Sequence, residues 1–219
     1  MIPELSYQDA VKSEYLAFLS ALEQSEFSGE IEKSYASRLA VATDNSIYQL
    51  LPQAVVLPRK HQDLVIMTEL SLQAEFKTIT FSPRGGGTGT NGQSLTDGII
   101  VDLSRHMNNI IDINVEEGWV QVQTGVVKDQ LNDFLKPYGF FFSPDLSTSN
   151  RATIGGMINT DASGQGSLKY GKTSDHVLAV SAVLMDGTEL ITAPLSAEKV
   201  NEDSQQPNYL GNVYHQVVD

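Results

Sequence analysis

Cysteine is absent from this sequence. That excludes disulfides, Cys-ligated zinc, iron–sulfur clusters and a cysteinyl-linked cofactor within these residues. Basic residues are scarce: 14 Lys and Arg stand against 27 Asp and Glu, a formal net charge of −13. Nucleic acid demands a cationic footprint and anionic membranes a polybasic one, so neither is an expected partner. Any bound phosphate must be held mainly by backbone N–H groups. No run of about 18 apolar residues occurs, so no membrane span is expected. Met1-Ile2-Pro3-Glu4-Leu5 is acidic rather than basic and apolar. No signal peptide is therefore expected, and a cytoplasmic setting fits. The four histidines, His61, His106, His176 and His215, show no metal-ligand spacing, so no metal site is expected.

What is present suits one large domain or two small lobes: 219 residues, 41% of them hydrophobic. Residues 7–24 predict an amphipathic helix, with Tyr7, Val11, Tyr15, Phe18, Leu19 and Leu22 near helical spacing. Ser6 with Asp9 resembles a capping box at its start. Phe27 to Ser46 reads as a polar connector that ends in the turn cluster Thr43-Asp44-Asn45-Ser46. Ala54-Val55-Val56-Leu57 is an apolar run stopped by Pro58 and reads as a buried strand. A helix is predicted over His61 to Glu75, a strand at Ile79-Thr80-Phe81, a glycine loop, and a strand at Ile99-Ile100-Val101-Asp102. This succession suggests a βαβ start.

A second lobe is expected from about Ile110. Ile111 to Val115 and Trp119 to Gln123 read as paired strands, Val126 to Leu135 as a helix, and Ile154 to Thr160 as a short helix. Val177 to Met185 and Glu189 to Thr192 flank Asp186-Gly187, a favoured hairpin turn. Residues 194–208 read as a loose polar loop. Trp119 is expected in the core.

The glycine loop carries the strongest chemical signal. Gly87-Thr88-Gly89-Thr90-Asn91-Gly92 formally matches GxGxxG, and Gly87 to Ser94 nearly matches a phosphate loop. Both patterns fail on context. The dinucleotide fingerprint must run straight into a helix, whereas this loop runs toward a strand. The phosphate loop needs a Lys where Gln93 stands. What survives is physical: five glycines within eight residues let the backbone approach a ligand and aim several N–H groups at one place. Thr88, Thr90 and Ser94 can add hydroxyls, and Arg84 a charge-assisted bond. A second stretch, Ser143-Pro144-Asp145-Leu146 to Gly164, is rich in small residues, with Gly155-Gly156 inside an apolar segment. Small residues and backbone amides suit a planar heterocycle better than a charged substrate.

Taken together, Val56-Leu57-Pro58-Arg59, Pro83-Arg84-Gly85-Gly86-Gly87-Thr88-Gly89, Ile154-Gly155-Gly156, Lys169-Tyr170-Gly171 and Val183-Leu184-Met185-Asp186-Gly187 resemble the FAD-binding domain of vanillyl-alcohol-oxidase-type flavoenzymes. The pattern is most similar to the branch of the glycolate oxidase flavoproteins, D-lactate dehydrogenases and D-2-hydroxyglutarate dehydrogenases, and covers roughly residues 50–192. The resemblance implies an α+β, two-lobed PCMH-type fold: a small βαβ lobe over about 51–108 and a larger mixed lobe over about 109–219, after a helical extension at 1–50. It implies hydride transfer from a small 2-hydroxy acid to FAD. It also implies a substrate cap domain and an iron–sulfur region beyond residue 219, with the FAD domain itself cut short there.

Cofactor contacts are then expected from Arg84, Gly85, Gly86, Gly87, Thr88, Gly89, Thr90, Asn91, Gln93 and Ser94. The second stretch should contribute Pro144, Asp145, Thr153, Gly155, Gly156, Ile158, Ala162, Gly164, Tyr170, Gly171 and Val177. No His lies between Pro83 and Ser94, so FAD should be noncovalent. Met157 and Asp161-Ala162-Ser163-Gly164 depart from the family's usual Asn and Asn-Ala-Gly-Gly. No catalytic residue, substrate identity, electron acceptor or oligomeric state follows from the sequence. Another oxidase or reductase on the same fold, or a noncatalytic nucleotide-binding module, stays open.

Overall fold

The computed structural model describes residues 10–218. Residues 6, 7 and 9, named above for the start of the N-terminal helix, lie outside the described residues. Helix α1 (Ser13–Gln24) buries Tyr15, Phe18, Leu19 and Leu22, the predicted apolar stripe. Each such side chain removed from water contributes about 1.5–3 kcal/mol.

The connector expected over 27–46 instead forms β1 (Glu30–Glu32) and α2 (Tyr35–Ala40). β1 carries one apolar residue, Ile31, and pairs antiparallel with β2 (Ala54–Leu57). The tertiary ladder, not a hydrophobic pattern, makes it a strand. α2 starts at Ser34, whose hydroxyl accepts the Ser37 N–H. After β2 come α3 (His61–Ser71), β3 (Phe81–Arg84) and β4 (Ile99–Asp102).

The sheet order is β1-β2-β4-β3. β4 is therefore parallel to both β2 and β3 and lies between them. β2 and β3 do not touch as neighbours, although the helix α3 connects them. The expected strand at 79–81 is shifted to 81–84, and Pro83 explains its place: a residue without an N–H is tolerated at a sheet edge. The central strands alternate between the two faces of the sheet. Ala54, Val56, Ile99 and Val101 face α1 and α3, whereas Val55, Leu57 and Ile100 face Val41.

A second core follows. β5 (Ile110–Asn114) and β6 (Trp119–Val122) form an antiparallel pair. They pack with α4 (Lys128–Leu135) and α5 (Ile154–Asn159) around Val126, Leu131, Leu135, Ala152, Ile154 and Met157. Trp119, expected in the core, is only half-buried, and its indole N–H donates to Glu117 at 2.6 Å. Helix α6 (Ser167–Tyr170) and a 3-10 turn over Thr173–His176 precede β7 (Val180–Val183), which pairs with β8 (Glu189–Thr192) through the expected Asp186-Gly187 turn. Val177 therefore caps the 3-10 turn rather than opening the strand. The loose loop expected over 194–208 contains α7 (Ala197–Ser204), capped by the Ser196 hydroxyl, and α8 (Tyr209–Val218) comes after it.

Asp63 fixes the start of α3. Its carboxylate is fully buried. It accepts the N–H groups of Ser28 at 2.9 Å, Arg59 at 2.8 Å and Lys60 at 3.2 Å, and the Ser28 hydroxyl at 2.9 Å. Burial raises the pKa of this carboxyl, but the donors together outweigh it and hold the value below the ordinary range. A depressed pKa stabilises the fold above the unfolded aspartate value and ceases to do so as pH falls through the folded one. Asp63→Asn places an NH2 among donors, so it is expected to cost about 1–3 kcal/mol. In urea melts from pH 7 down to pH 3, the variant should start lower and lose less stability than the native chain.

Candidate functional site

The two glycine-bearing stretches meet. A Cβ on Gly85 would collide with the Thr153 side chain, and one on Gly86 with the Arg151 carbonyl. Only glycine lets the end of β3 lie against residues 151–153. That segment is itself fixed to the start of α4. Lys128 N–H donates to the Ala152 carbonyl at 3.0 Å, and Ile154 N–H to the Val126 carbonyl at 2.9 Å. Further along, a Cβ on Gly155 would crowd Thr124, and one on Gly164 would overlap the Asp145 carbonyl. Gly85 and Gly86 thus bring the two loops together, while Gly155 and Gly164 pack the second stretch on its own surroundings.

The result is a cleft of about 510 Å³. Its walls are Asn45, Thr88, Thr90, Asp145, Leu146, Ser147, Thr148, Ser163, Gly164 and Gln165. Among the described residues, the N–H groups of Gly86, Gly87, Thr88, Gly89 and Thr90 have no internal acceptor. Gly87 adopts φ +62°, a left-handed value that glycine takes without strain. Of this run Thr88 and Thr90 line the cleft, so their unpaired amides join the hydroxyls of Thr88, Thr90, Ser147, Thr148 and Ser163 as uncharged donors, beside one charged wall residue, Asp145. Such a set matches a pyrophosphate held by main chain rather than by cations.

Several expected site residues do other work. Arg84 is engaged internally: its guanidinium lies against Gly87 and donates to the carbonyls of Thr43 at 2.8 Å and Val41 at 3.3 Å, and to Ser94 Oγ at 3.2 Å. Burial lowers its pKa, opposed by Asp102 and Asp44. Ser94 donates to Asp44 at 3.3 Å, so the loop is stapled to residues 41–44. The Asp44 pKa, raised by burial, is carried below its ordinary value by bonds from Ser46 and Ser94 and by Arg84. Gln93 bends back on its own loop and accepts the Asn91 N–H at 3.1 Å. Pro144 and Thr153 are buried, and Ile158 and Ala162 pack on the second core.

Tyr170 packs edge-on against Phe141 at 5.6 Å, outside the cleft wall. Gly171 has φ +81° and lies against Asp175. The 161–174 loop is closed by Lys172 on Asp161, which holds that carboxyl down to about 2, and by the Ser174 N–H on the same group. Ser143 Oγ lies 2.9 Å from His176 Nε2, but the same nitrogen lies 2.7 Å from the Tyr170 carbonyl. A carbonyl can only accept, so Nε2 carries the proton and cannot activate the serine.

Thr88, Thr90, Asp145 and Gly164 are the expected residues that line the cleft. Asn45, Leu146, Ser147, Thr148, Ser163 and Gln165 were not expected there. The signal for Asn45 was the Thr43-Asp44-Asn45-Ser46 cluster, read as a connector. Lys128 gave no sequence signal: it is a lone lysine in an amphipathic helix.

Known proteins share the sequence and the fold of this chain. The family described as "FAD binding domain" matches residues 52–193. D-2-hydroxyglutarate dehydrogenase of Escherichia coli (strain K12) is 58% identical over 217 residues, covering 99% of this chain and 21% of that protein. The Pseudomonas putida enzyme of that name is 57% identical over 98% of this chain. The glycolate oxidase GlcD protein of Bacillus subtilis is 35% identical over 77% of it. The chain thus spans about a fifth of the length of its D-2-hydroxyglutarate dehydrogenase relatives. Among solved structures, alkyldihydroxyacetonephosphate synthase superposes with TM-score 0.72 at 19% identity, over 91% of this chain and 38% of that one. 6-Hydroxy-D-nicotine oxidase of Arthrobacter nicotinovorans gives 0.66 at 22%, over 77% and 36%. These superpositions fix the two-lobed PCMH-type fold, and with residues 52–193 matched the chain belongs to the FAD binding domain family.

Proposed function

We propose that this chain is the flavin-holding module of an FAD-dependent dehydrogenase that oxidises D-2-hydroxyglutarate or a near relative among D-2-hydroxy acids. The observation that carries this is the 58% identity across 99% of the chain to a protein of that activity, against 35% for the glycolate oxidase protein. The cleft supports it. Its donors are main-chain amides and hydroxyls, which can hold a pyrophosphate, and its rim is built of small residues.

In this reading the amides of Gly86 to Thr90 bind the phosphates, and Thr88 and Thr90 orient them. Ser147, Thr148 and Ser163 add hydroxyls from the facing wall. FAD supplies a hydride acceptor when bound. The glycine loop has no His or Cys to form a covalent tether, so binding is noncovalent. The division into an extension at 1–50 and lobes at 51–108 and 109–219 belongs to the same proposal, as do the substrate cap and iron–sulfur regions in the remainder of the parent chain. No helix of the described residues is long and apolar enough to cross a membrane, and a cytoplasmic setting is part of the proposal.

Two measurements check it. Acid precipitation of the purified full chain should release its flavin to the supernatant, and anaerobic D-2-hydroxyglutarate should bleach the flavin band faster than glycolate or D-lactate. Retention of flavin by the precipitate contradicts noncovalent binding, and faster bleaching by glycolate reassigns the substrate. Gly87→Val forces a β-branched residue toward a left-handed conformation that costs about 1–2 kcal/mol. FAD affinity should fall about ten-fold, and the melting temperature of the protein should fall by only a few degrees. Unaltered affinity would remove the loop from the site.

A further inference from the structure

The cleft built for an anionic group has a carboxylate on its wall. Asp145 is the charged side chain among its lining residues, and it is 59% exposed. Left alone, a negative charge there opposes phosphate. The cation that faces it is Lys128, whose Nζ lies 3.5 Å from Asp145 Oδ1.

Lys128 sits where a lysine is twice disfavoured. Its side chain is 7% exposed, so the ammonium has lost most of its hydration. It also occupies the opening position of α4, the positive end of the helix dipole, where a cation is repelled. A structural role would show the nitrogen tied to several carbonyls. Among the described residues its ion-pair partner is Asp145, at a separation longer than an ordinary charge-assisted bond. Arg84 cannot substitute, its guanidinium being held by Val41, Thr43 and Ser94.

We propose that Lys128 is a positioning residue that neutralises Asp145 and draws its carboxylate to the wall, so that the cleft accepts a doubly charged dinucleotide. This rests on the FAD reading above. Lys128 acts through Asp145 and not on the phosphates, because its nitrogen is buried behind the wall residue.

The test is FAD affinity of the apo form of the full chain, measured by flavin fluorescence, for the native protein, Lys128→Met, Asp145→Asn and the double variant. Lys128→Met keeps the buried stem and removes the charge, leaving Asp145 uncompensated. It should bind FAD about ten-fold more weakly. The double variant should return to within about two-fold of the native affinity, a coupling that loss of packing alone would not produce. Asp145→Asn, on an exposed side chain that folding tolerates, should bind FAD at least as tightly as the native chain.

Equal affinity of Lys128→Met and the native protein overturns the proposal. A double variant as weak as Lys128→Met also overturns it, because Lys128 would then act directly on the ligand. Weaker binding by Asp145→Asn overturns it from the other side, by making the carboxylate itself a ligand group. If the native full chain fails to bind FAD at all, the cofactor reading falls, and this proposal with it.

Discussion

The contact of Gly85 and Gly86 with residues 151–153 is the constraint on which the site depends. One loop follows an edge strand of the mixed four-stranded sheet. The other leads into a short helix of the second core. They touch because neither glycine carries a side chain. A methyl on Gly86 would meet the Arg151 carbonyl and one on Gly85 the buried Thr153 side chain, and close-packed interiors do not absorb such a step without rearrangement. The facing walls of the cleft are set by that distance.

Around this contact, polar groups do the aligning and apolar groups supply the stability. The two hydrophobic cores hold their own elements and say little about how the loops run. The loops are placed by directed bonds: Asp63 on Ser28, Arg59 and Lys60, Arg84 on Val41 and Thr43, and Lys172 on Asp161. Of the few cations among so many acids, Arg84 and Lys172 serve as internal ties. This leaves the amides of the glycine loop as the available donors, in keeping with an acidic protein that binds an acidic ligand.

The parts of the fold legible in the sequence were those written as periodicity. The stripe of α1, the runs at 54–57 and 99–102 and the Asp186-Gly187 turn all have local causes. Less legible were elements with tertiary causes. β1 is a strand because β2 offers it a ladder, although Glu30 and Glu32 flank its one apolar residue. α7 is polar nearly all round, so no apolar face announced it. In the site, composition suggested amide donors, but the partners of individual side chains were hidden. Arg84 adjoins the glycine loop in sequence, yet carbonyls some forty residues earlier claim its guanidinium. Lys128 was invisible for the converse reason, its partner lying in a different loop. The sequence resemblance to FAD-binding domains covered both stretches without distinguishing packing glycines from ligand-facing ones.

The order of the cores along the chain sets an order of assembly. The first core draws its buried residues from Tyr15 to Val101, whereas the cleft needs Asn45, Thr88 and Gln165 at once. Synthesis runs from the N-terminus, and domains tend to fold as they emerge. A nascent chain therefore completes its sheet while the opposite wall of the cleft has yet to leave the ribosome. Cofactor capture belongs to the late steps of biogenesis, and a stalled or clipped intermediate ending before residue 145 would be compact yet unable to retain a nucleotide.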